Sequence, residues 1–164
     1  MNAMGLPVRI RAAGEDDSAF IYSTWLKSFS GHNKNVPKRI IWEFEDEKVR
    51  DLLAKAITLV AVGDGVDSAG DIYSFMCGER SATSGLVIHY CYTKAPFRKF
   101  GIAKALLEAF EYSPGELITH SYRPYIAKDL RRRGYNLMFN PYLRDPETRE
   151  RWDKFYESNK HSIK

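Results

Sequence analysis

The first third of the chain carries one strand pattern followed by two helix patterns. Residues 8–12 alternate apolar and polar side chains, as a half-buried strand does. The acidic run at residues 14–17 then supplies N-terminal caps for a helix. Apolar residues recur at helical spacing in that helix: Phe20, Ile21, Trp25, Leu26 and Phe29. A second helix is predicted to begin near Pro37, where a missing N–H costs nothing, and to continue to Ala56.

The rest of the chain changes to short β-rich runs separated by turn residues. This pattern predicts an antiparallel meander over residues 57–62, 71–77 and 86–93. The elements expected next are a helix at 101–112, a strand at 117–120, a helix at 124–133 and a strand at 135–139. A terminal helix begins near Asp145, and its apolar stripe is expected to pack on its own domain or in a dimer interface. The stripe consists of Trp152, Phe155 and Tyr156.

Length and composition are those of one folded domain. At 164 residues, with 44% hydrophobic residues, the chain has room for a single core. No run approaches the roughly 20 apolar residues that cross a bilayer, and the N-terminus shows no secretory pattern. We therefore expect a cytoplasmic protein without membrane contact. Cys77 and Cys91 lack a close partner for a metal or redox motif, and both are expected to be buried thiols with no metal site.

The net charge of +4 has three explanations. Clustered basic residues release counterions from a nucleic-acid backbone, which would make association steeply salt-dependent. Such a surface would comprise Arg123, Lys128 and residues 131–133. The run 131–133 also suits a solvated helix end, where cations complement the dipole. The third explanation is the phosphates of a coenzyme. Nucleic acid ranks last, because the excess is small and no base-reading motif accompanies it.

The most informative stretch is residues 92–107, where a predicted strand runs through a short turn into a helix. The first N–H groups of a helix have no partner within it, so they and the dipole favour an anion at this place. Gly101 allows a close approach of the backbone, and Arg98 and Lys99 add positive charge. On mechanics alone, an ordinary strand-to-helix connection is the better explanation of the segment, because such junctions with a glycine and a basic residue are common.

This turn resembles the coenzyme A signature of the GNAT acetyltransferase superfamily, R/Q-x-x-G-x-G/A, which stands here at residues 98–103 as RKFGIA. The predicted element order from Val8 to about Leu143 is also the family's order. The resemblance implies an α/β (α+β) fold with a mixed, mostly antiparallel twisted sheet of six to seven strands flanked by helices. Residues 1–143 would form the acyltransferase domain, and residues 144–164 a helical extension packed on it.

The resemblance also implies acetyl-coenzyme A as the cofactor and an N-acetyltransferase that acts on a primary amine of a small molecule or a protein. Backbone amides of the turn would hold the pyrophosphate: Lys99, Phe100, Gly101, Ile102 and Ala103. Arg98 would add charge beside them, and the strand backbone at Tyr92 and Thr93 would pair with the pantetheine arm. The transfer expected of the family is direct attack of the amine on the acetyl carbonyl, with a base and an acid to move protons.

Two residues of the central strands are candidate bases. His89 is predicted to face the same way as Cys91 and Thr93, and the ordinary pKa of histidine suits a base near neutral pH. The other reading of His89 is a hydrogen-bonded core residue. Glu79, at the end of the preceding strand, is the second candidate.

The candidate acid departs from the family pattern. Leu130 stands where many members carry a tyrosine, four residues before the glycine that ends the helix. Tyr125 or Tyr122 would have to substitute, although a tyrosine at a helix start is more often packing. Arg123 stands where an asparagine is often found. These departures motivate the alternative of a GNAT-fold protein that has lost catalysis and serves as a binding or structural module.

The acceptor is expected between the first two helices and the middle strands. Aromatic residues of these segments would give an apolar site, or are simply core: Trp25, Phe29, Trp42, Tyr73 and Phe75. The acidic residues at 43–47 would attract a cationic acceptor, or form a solvated face. An enzyme should show an open cleft between the fourth and fifth predicted strands, whereas an inactive relative would fill it with side chains such as Phe100 or Tyr92.

Overall fold

The computed structural model describes residues 2–3, 5–32, 34–66, 70–81, 85–122 and 126–159. Its strands are β1 (Asn2–Ala3), β2 (Leu6–Ala12), β3 (Ile57–Gly63), β4 (Ile72–Ser81), β5 (Gly85–Thr93), β6 (Leu117–His120) and β7 (Asn136–Phe139). Its helices are α1 (Ser18–His32), α2 (Lys38–Lys55), α3 (Ile102–Ala109), α4 (Ala127–Arg132) and α5 (Pro146–Asn159). Among the described helices, none combines the length and the apolar composition of a membrane-spanning segment.

The strands form one mixed sheet in which spatial order follows chain order. Strands β1 to β5 pair antiparallel, while β5, β6 and β7 pair parallel. The antiparallel neighbours β2 and β3 are joined through α1 and α2, whereas the parallel steps from β5 to β6 and from β6 to β7 need crossovers, which α3 and α4 provide. The predicted fold, a mixed and mostly antiparallel sheet of six to seven strands flanked by helices, is confirmed.

The sheet is covered on both faces. One face packs on α3 through a cluster in which Met76, Ile88 and Leu106 are buried. The other face packs on α1 and α2, where Trp25 and Phe75 are fully buried. Full burial of an aromatic side chain contributes about 1.5–3 kcal/mol. The two clusters therefore fix the positions of the helices relative to the central strands.

A β-bulge interrupts the pairing of β4 with β5. Gly78 lies opposite Ile88, but its neighbour Cys77 lies opposite Tyr90, so His89 is an extra residue on β5. A bulge bends its strand and changes which face the following side chains occupy. The bulge at His89 lies directly before residues 90–93 of β5, which extend beyond the pairing with β6.

Gly78 is required for the close approach of the strands at this bulge. A Cβ atom at Gly78 would lie 2.7 Å from the carbonyl oxygen of Val87 and 2.9 Å from Ile88 Cδ1. We therefore expect Gly78→Ala to lower the free energy of unfolding by about 1–3 kcal/mol, because the backbone oxygen cannot move aside without opening the ladder. Urea unfolding measures this change.

The matched control for that substitution is Gly14→Ala. A Cβ atom at Gly14 would have its nearest neighbour, Asp17 Oδ2, at 3.8 Å, and the φ of Gly14 is −102°. The control is expected to change stability by no more than about 0.5 kcal/mol. Equal stability of the two variants would refute the role given to Gly78.

The terminal helix α5 begins after Asp145, whose carboxylate accepts a hydrogen bond from the backbone N–H of Thr148 at 3.2 Å. Of the predicted apolar stripe, Phe155 is exposed, and the side chains of Trp152 and Tyr156 lie outside the described residues. Contact with the sheet is made instead by Arg149, which reaches Glu79 on β4.

Candidate active site

The strands β5 and β6 form a fork. Their pairing covers Leu86 to Ile88 on β5 and ends at His120 on β6, whereas β5 continues to Thr93. The backbone N–H of Ser121 donates to the carbonyl of Ile88 at 3.3 Å and closes the apex of the fork. Beyond this point the strand pairing of β5 is with β4 alone among the described strands. The fork therefore leaves an edge of β5 that no described strand covers, where an extended ligand can pair.

The fork is not filled by the side chains expected of an inactive relative. Tyr92 packs against Phe20 and Phe75, at ring-centroid distances of 6.4 Å and 5.7 Å, on the α1 face of the sheet. Phe100 packs against the cluster between the sheet and α3. Neither contact spans the gap between β5 and β6.

The turn after β5 is anchored at its base. The N–H of Lys94 donates to the carbonyl of Tyr73 at 2.9 Å, and the Tyr73 ring stacks on Phe97 with centroids 3.8 Å apart. Arg98 Nε donates to the carbonyl of Thr93 at 3.0 Å. These contacts hold the turn rigidly between the end of β5 and the start of α3.

The turn itself has two left-handed residues. Lys99 has φ 69° and Gly101 has φ 77°. A positive φ is uncommon for a residue other than glycine, and such strain concentrates at ligand sites. A Cβ atom at Gly101 would meet no heavy atom within 4 Å, so the space in front of the N-terminus of α3 is open. Left-handed residues before a helix turn successive N–H groups toward one point, which makes a concave anion site.

The predicted cofactor residues converge on this turn. Residues 98–103 form it, with Ile102 buried as an anchor in the core and Arg98 and Lys99 exposed. Tyr92 and Thr93 lie on the half of β5 that extends beyond its pairing with β6, where the pantetheine strand was predicted. These residues fit a diphosphate-bearing coenzyme, because amide donors, positive charge and open space lie together.

Both candidate bases lie near the apex of the fork, in one series of polar contacts. His89 Nδ1 lies 2.7 Å from Ser121 Oγ, and His89 Nε2 lies 3.4 Å from Glu79 Oε1, a long contact. His89 and Ser121 are fully buried, and Glu79 is mostly so. Burial raises the pKa of Glu79, but contacts with His89 and Arg149 outweigh it, so the pKa lies below its ordinary value of 4.5. The carboxyl is therefore ionised at neutral pH.

The predicted orientation of His89 is wrong. Met76, the cross-strand partner of Cys91, belongs to the α3-side cluster with Ile88, so Cys91 lies on that face. His89 follows Ile88 and contacts Glu79, on the opposite face. The bulge changes the alternation after His89, which a strict period of two does not anticipate. Cys91 is also exposed, contrary to its predicted burial, because it lies where β5 has left β6; Cys77 is buried as predicted.

The candidate acids are only partly placed. Tyr125 and Arg123 lie outside the described residues, while Leu130 is half-buried on α4. Tyr122 follows Ser121, and its hydroxyl donates to Glu45 Oε2 at 3.2 Å. Burial, and then the charge of Glu45, raise the pKa of Tyr122 well above its ordinary range. Tyr122 therefore holds its proton and is a weak acid.

The predicted aromatic acceptor pocket is largely core. Trp25 and Phe75 are fully buried, and Tyr73 belongs to the α3-side cluster, on the other face of the sheet. Trp42 lines an open cleft of about 540 Å³ between α1 and α2, together with Tyr22 and the carboxylates of Glu43 and Asp46. The sequence alone could not separate Trp42 from the core aromatic residues, because the difference depends on how its helix, α2, is oriented against α1.

The basic run at residues 131–133 lies at the exposed C-terminal end of α4. Arg133 pairs with Asp129 at 2.9 Å, within α4 and its C-terminal end, and residues 131–133 are exposed. This arrangement agrees with a solvated helix end.

Across the described residues, no three His, Cys, Asp or Glu side chains form a group that could hold a metal ion.

Two residues of the site, Ser121 and Arg149, were missed by sequence reasoning, and so was the conformation of Lys99. Ser121 lies 32 residues from His89, Arg149 lies 70 residues from Glu79, and the left-handed conformation of Lys99 has no residue-type signal. The only clue to Ser121 was its position at the end of the strand beside β5.

Comparison with known proteins establishes the fold. No family model matches the sequence, and no curated protein sequence matches it. A possible acetyltransferase from Clostridium difficile 630 superimposes with a TM-score of 0.51 at 17% identity, over 82% of this chain and 94% of that one. A candidate acetyltransferase from Pyrococcus furiosus superimposes with a TM-score of 0.50 at 16% identity, over 90% and 91% of the two chains. The chain therefore has the fold of these two acetyltransferases.

Proposed function

We propose that this chain is a divergent GNAT acetyltransferase that binds acetyl-coenzyme A and moves its acetyl group to a primary amine. The observation that carries the proposal is the left-handed turn at the N-terminus of α3, placed at the open end of the β5–β6 fork. The turn supplies donors for a diphosphate, and the free edge of β5 supplies backbone partners for an extended amide arm. The diphosphate site at the turn and the strand edge for the amide arm are therefore adjacent.

The coenzyme would be held mainly by backbone. The amides of residues 99–103 would surround the diphosphate in the open space before α3, and Arg98 and Lys99 would bring positive charge to it. Backbone donors suit a phosphate because they are already oriented and cost little further ordering. Tyr92 and Thr93 would pair through their main chain with the pantetheine amides.

When bound, acetyl-coenzyme A supplies a thioester carbonyl that a neutral amine attacks. Ser121 Oγ, at the apex, would take the proton from the attacking nitrogen as it passes its own to His89 Nδ1, 2.7 Å away. Ionised Glu79, beside Nε2, stabilises the protonated ring. The same path reversed returns the proton to the leaving group. One histidine then serves as base and acid, and the reaction needs no tyrosine at Leu130.

A second candidate function is coenzyme binding without turnover. Trp25 stacks on Tyr90 with centroids 5.0 Å apart and meets the edge of Tyr122 at 5.8 Å, so aromatic rings cover the α1 face of the fork. The Arg144 guanidinium lies 5.4 Å from the centre of the Tyr122 ring. This packing would have to open before an amine could approach from that face.

A thiol-release assay separates the two functions. Purified protein is incubated with acetyl-coenzyme A and a panel of primary amines: alkylamines, arylalkylamines and a lysine peptide. Amine-dependent release of free thiol that is lost in Ser121→Ala supports the transferase. Coenzyme binding without release for any amine favours the second function, and no binding contradicts both.

A further inference from the structure

Arg149 of the C-terminal helix reaches Glu79 beside the fork. Arg149 Nη2 lies 2.9 Å and 2.7 Å from the two carboxylate oxygens of Glu79. Its Nη1 lies 3.8 Å from Asp51 Oδ2 on α2. The Arg149 and Glu79 side chains are 16% and 22% exposed, so water screens their attraction less than that of a surface pair.

The same carboxylate also faces the candidate base. Glu79 Oε1 lies 3.4 Å from His89 Nε2, so Glu79 stands between a guanidinium and an imidazole. Another ionisable group near Glu79 is Cys77 on its own strand, and Asp51 on α2 contacts the other side of Arg149. Asp51 is itself paired with Lys55 at 2.6 Å. Arg149 is therefore the cation that contacts the carboxylate directly.

We infer that Arg149 is a positioning residue that fixes Glu79 against His89 Nε2 and thereby leaves His89 Nδ1 free to accept a proton from Ser121. This inference rests on the proposed function. An ionised carboxylate beside Nε2 favours the tautomer with its proton there, which leaves the lone pair on Nδ1. Arg149 also offsets much of the charge of Glu79, which would otherwise act on the ring alone.

A structural role would explain the same contacts differently. Arg149 would then only dock α5 on the sheet, and its loss would lower stability without changing the proton affinity of His89. The two explanations are separated by a titration of the imidazole itself. Removal of a cation near Glu79 should make His89 easier to protonate, because the carboxylate is then uncompensated.

The experiment is an NMR pH titration of ring-labelled histidine in the full chain, with the His89 signal assigned by its loss in His89→Gln. Arg149→Met is expected to raise the His89 midpoint by about one pH unit or more. Arg149→Lys, which keeps the cation, should restore most of the original midpoint. Arg151→Met, which removes an exposed arginine from the same helix, is the matched control and should leave it unchanged.

A further variant keeps the test decisive if Arg149→Met does not fold. Glu79→Gln removes the anion, so the His89 midpoint should fall. If the His89 midpoint in Glu79→Gln or in Arg149→Met equals that of the unmodified chain, the inference is wrong.

The titration needs no turnover, so it is independent of the transferase assay. If thiol release is absent but the midpoint moves as expected, the proposed function fails and the link from Arg149 to His89 stands. If both hold, the acid limb of kcat in Arg149→Met should move to higher pH together with the midpoint, since the base must be neutral to act. An unmoved acid limb beside a moved midpoint would contradict the positioning role.

Discussion

Gly101→Asp is expected to abolish coenzyme binding, with the dissociation constant of acetyl-coenzyme A rising at least about 100-fold, or about 2.8 kcal/mol. The substituted carboxylate would stand in the open space before α3, where the diphosphate is to lie. It would repel the phosphates and occupy the amide donors that should hold them. Isothermal titration measures the loss.

Gly115→Asp is the matched control for this substitution. Gly115 has φ 86°, close to the 77° of Gly101, and a Cβ atom there also meets no heavy atom within 4 Å. The two variants therefore pay a similar conformational cost for a left-handed residue. Gly115→Asp should bind the coenzyme like the unmodified chain. An equal loss of affinity in both variants would show that the turn at residues 98–103 is not the coenzyme site.

His89→Gln is expected to lower kcat by about 10²- to 10⁴-fold, the usual loss for a general base. Glutamine retains a hydrogen-bonding side chain of similar reach but cannot accept and return a proton. Because His89 is buried behind Ser121, the affinity for acetyl-coenzyme A should stay within about threefold. Single-turnover kinetics with a responsive amine separate the two quantities.

The proposed proton path also predicts the rates of Ser121→Ala and of the double variant. Ser121→Ala should lose a comparable part of kcat, and the double variant should be no slower than the slower single one, since the two residues act as a unit. Losses that multiply in the double variant would contradict a path from Ser121 Oγ to His89 Nδ1. Unchanged kcat in His89→Gln would return His89 to the role of a core residue.

Local patterns predicted most of the fold. The alternation at Val8 and the helical spacing of Trp25 are one-dimensional signals, and both lie in the expected elements. The strand β1 was not predicted, because its two residues depend on pairing with β2 rather than on any pattern of their own. The final crossover helix begins at Ala127 rather than Pro124, which lies outside the described residues.

The site was predictable only where it is continuous in sequence. The turn at residues 98–103 carries its donors, its glycine and its charge in six consecutive positions, so a motif can reveal it. The chain from Ser121 through His89 and Glu79 to Arg149 joins four separate elements, and only the folded sheet brings them together. The bulge at His89 is invisible in a strand that is almost wholly apolar, which explains the wrong face assigned to it.

Titration of the unmodified protein with acetyl-coenzyme A tests the central claim most directly. The account predicts binding of one coenzyme per chain in the micromolar range, weakened by Arg98→Ala and by rising salt because the site holds phosphates. The absence of any heat at millimolar coenzyme would contradict it. The turn before α3 would then be an ordinary connection in a GNAT-fold protein that serves another purpose.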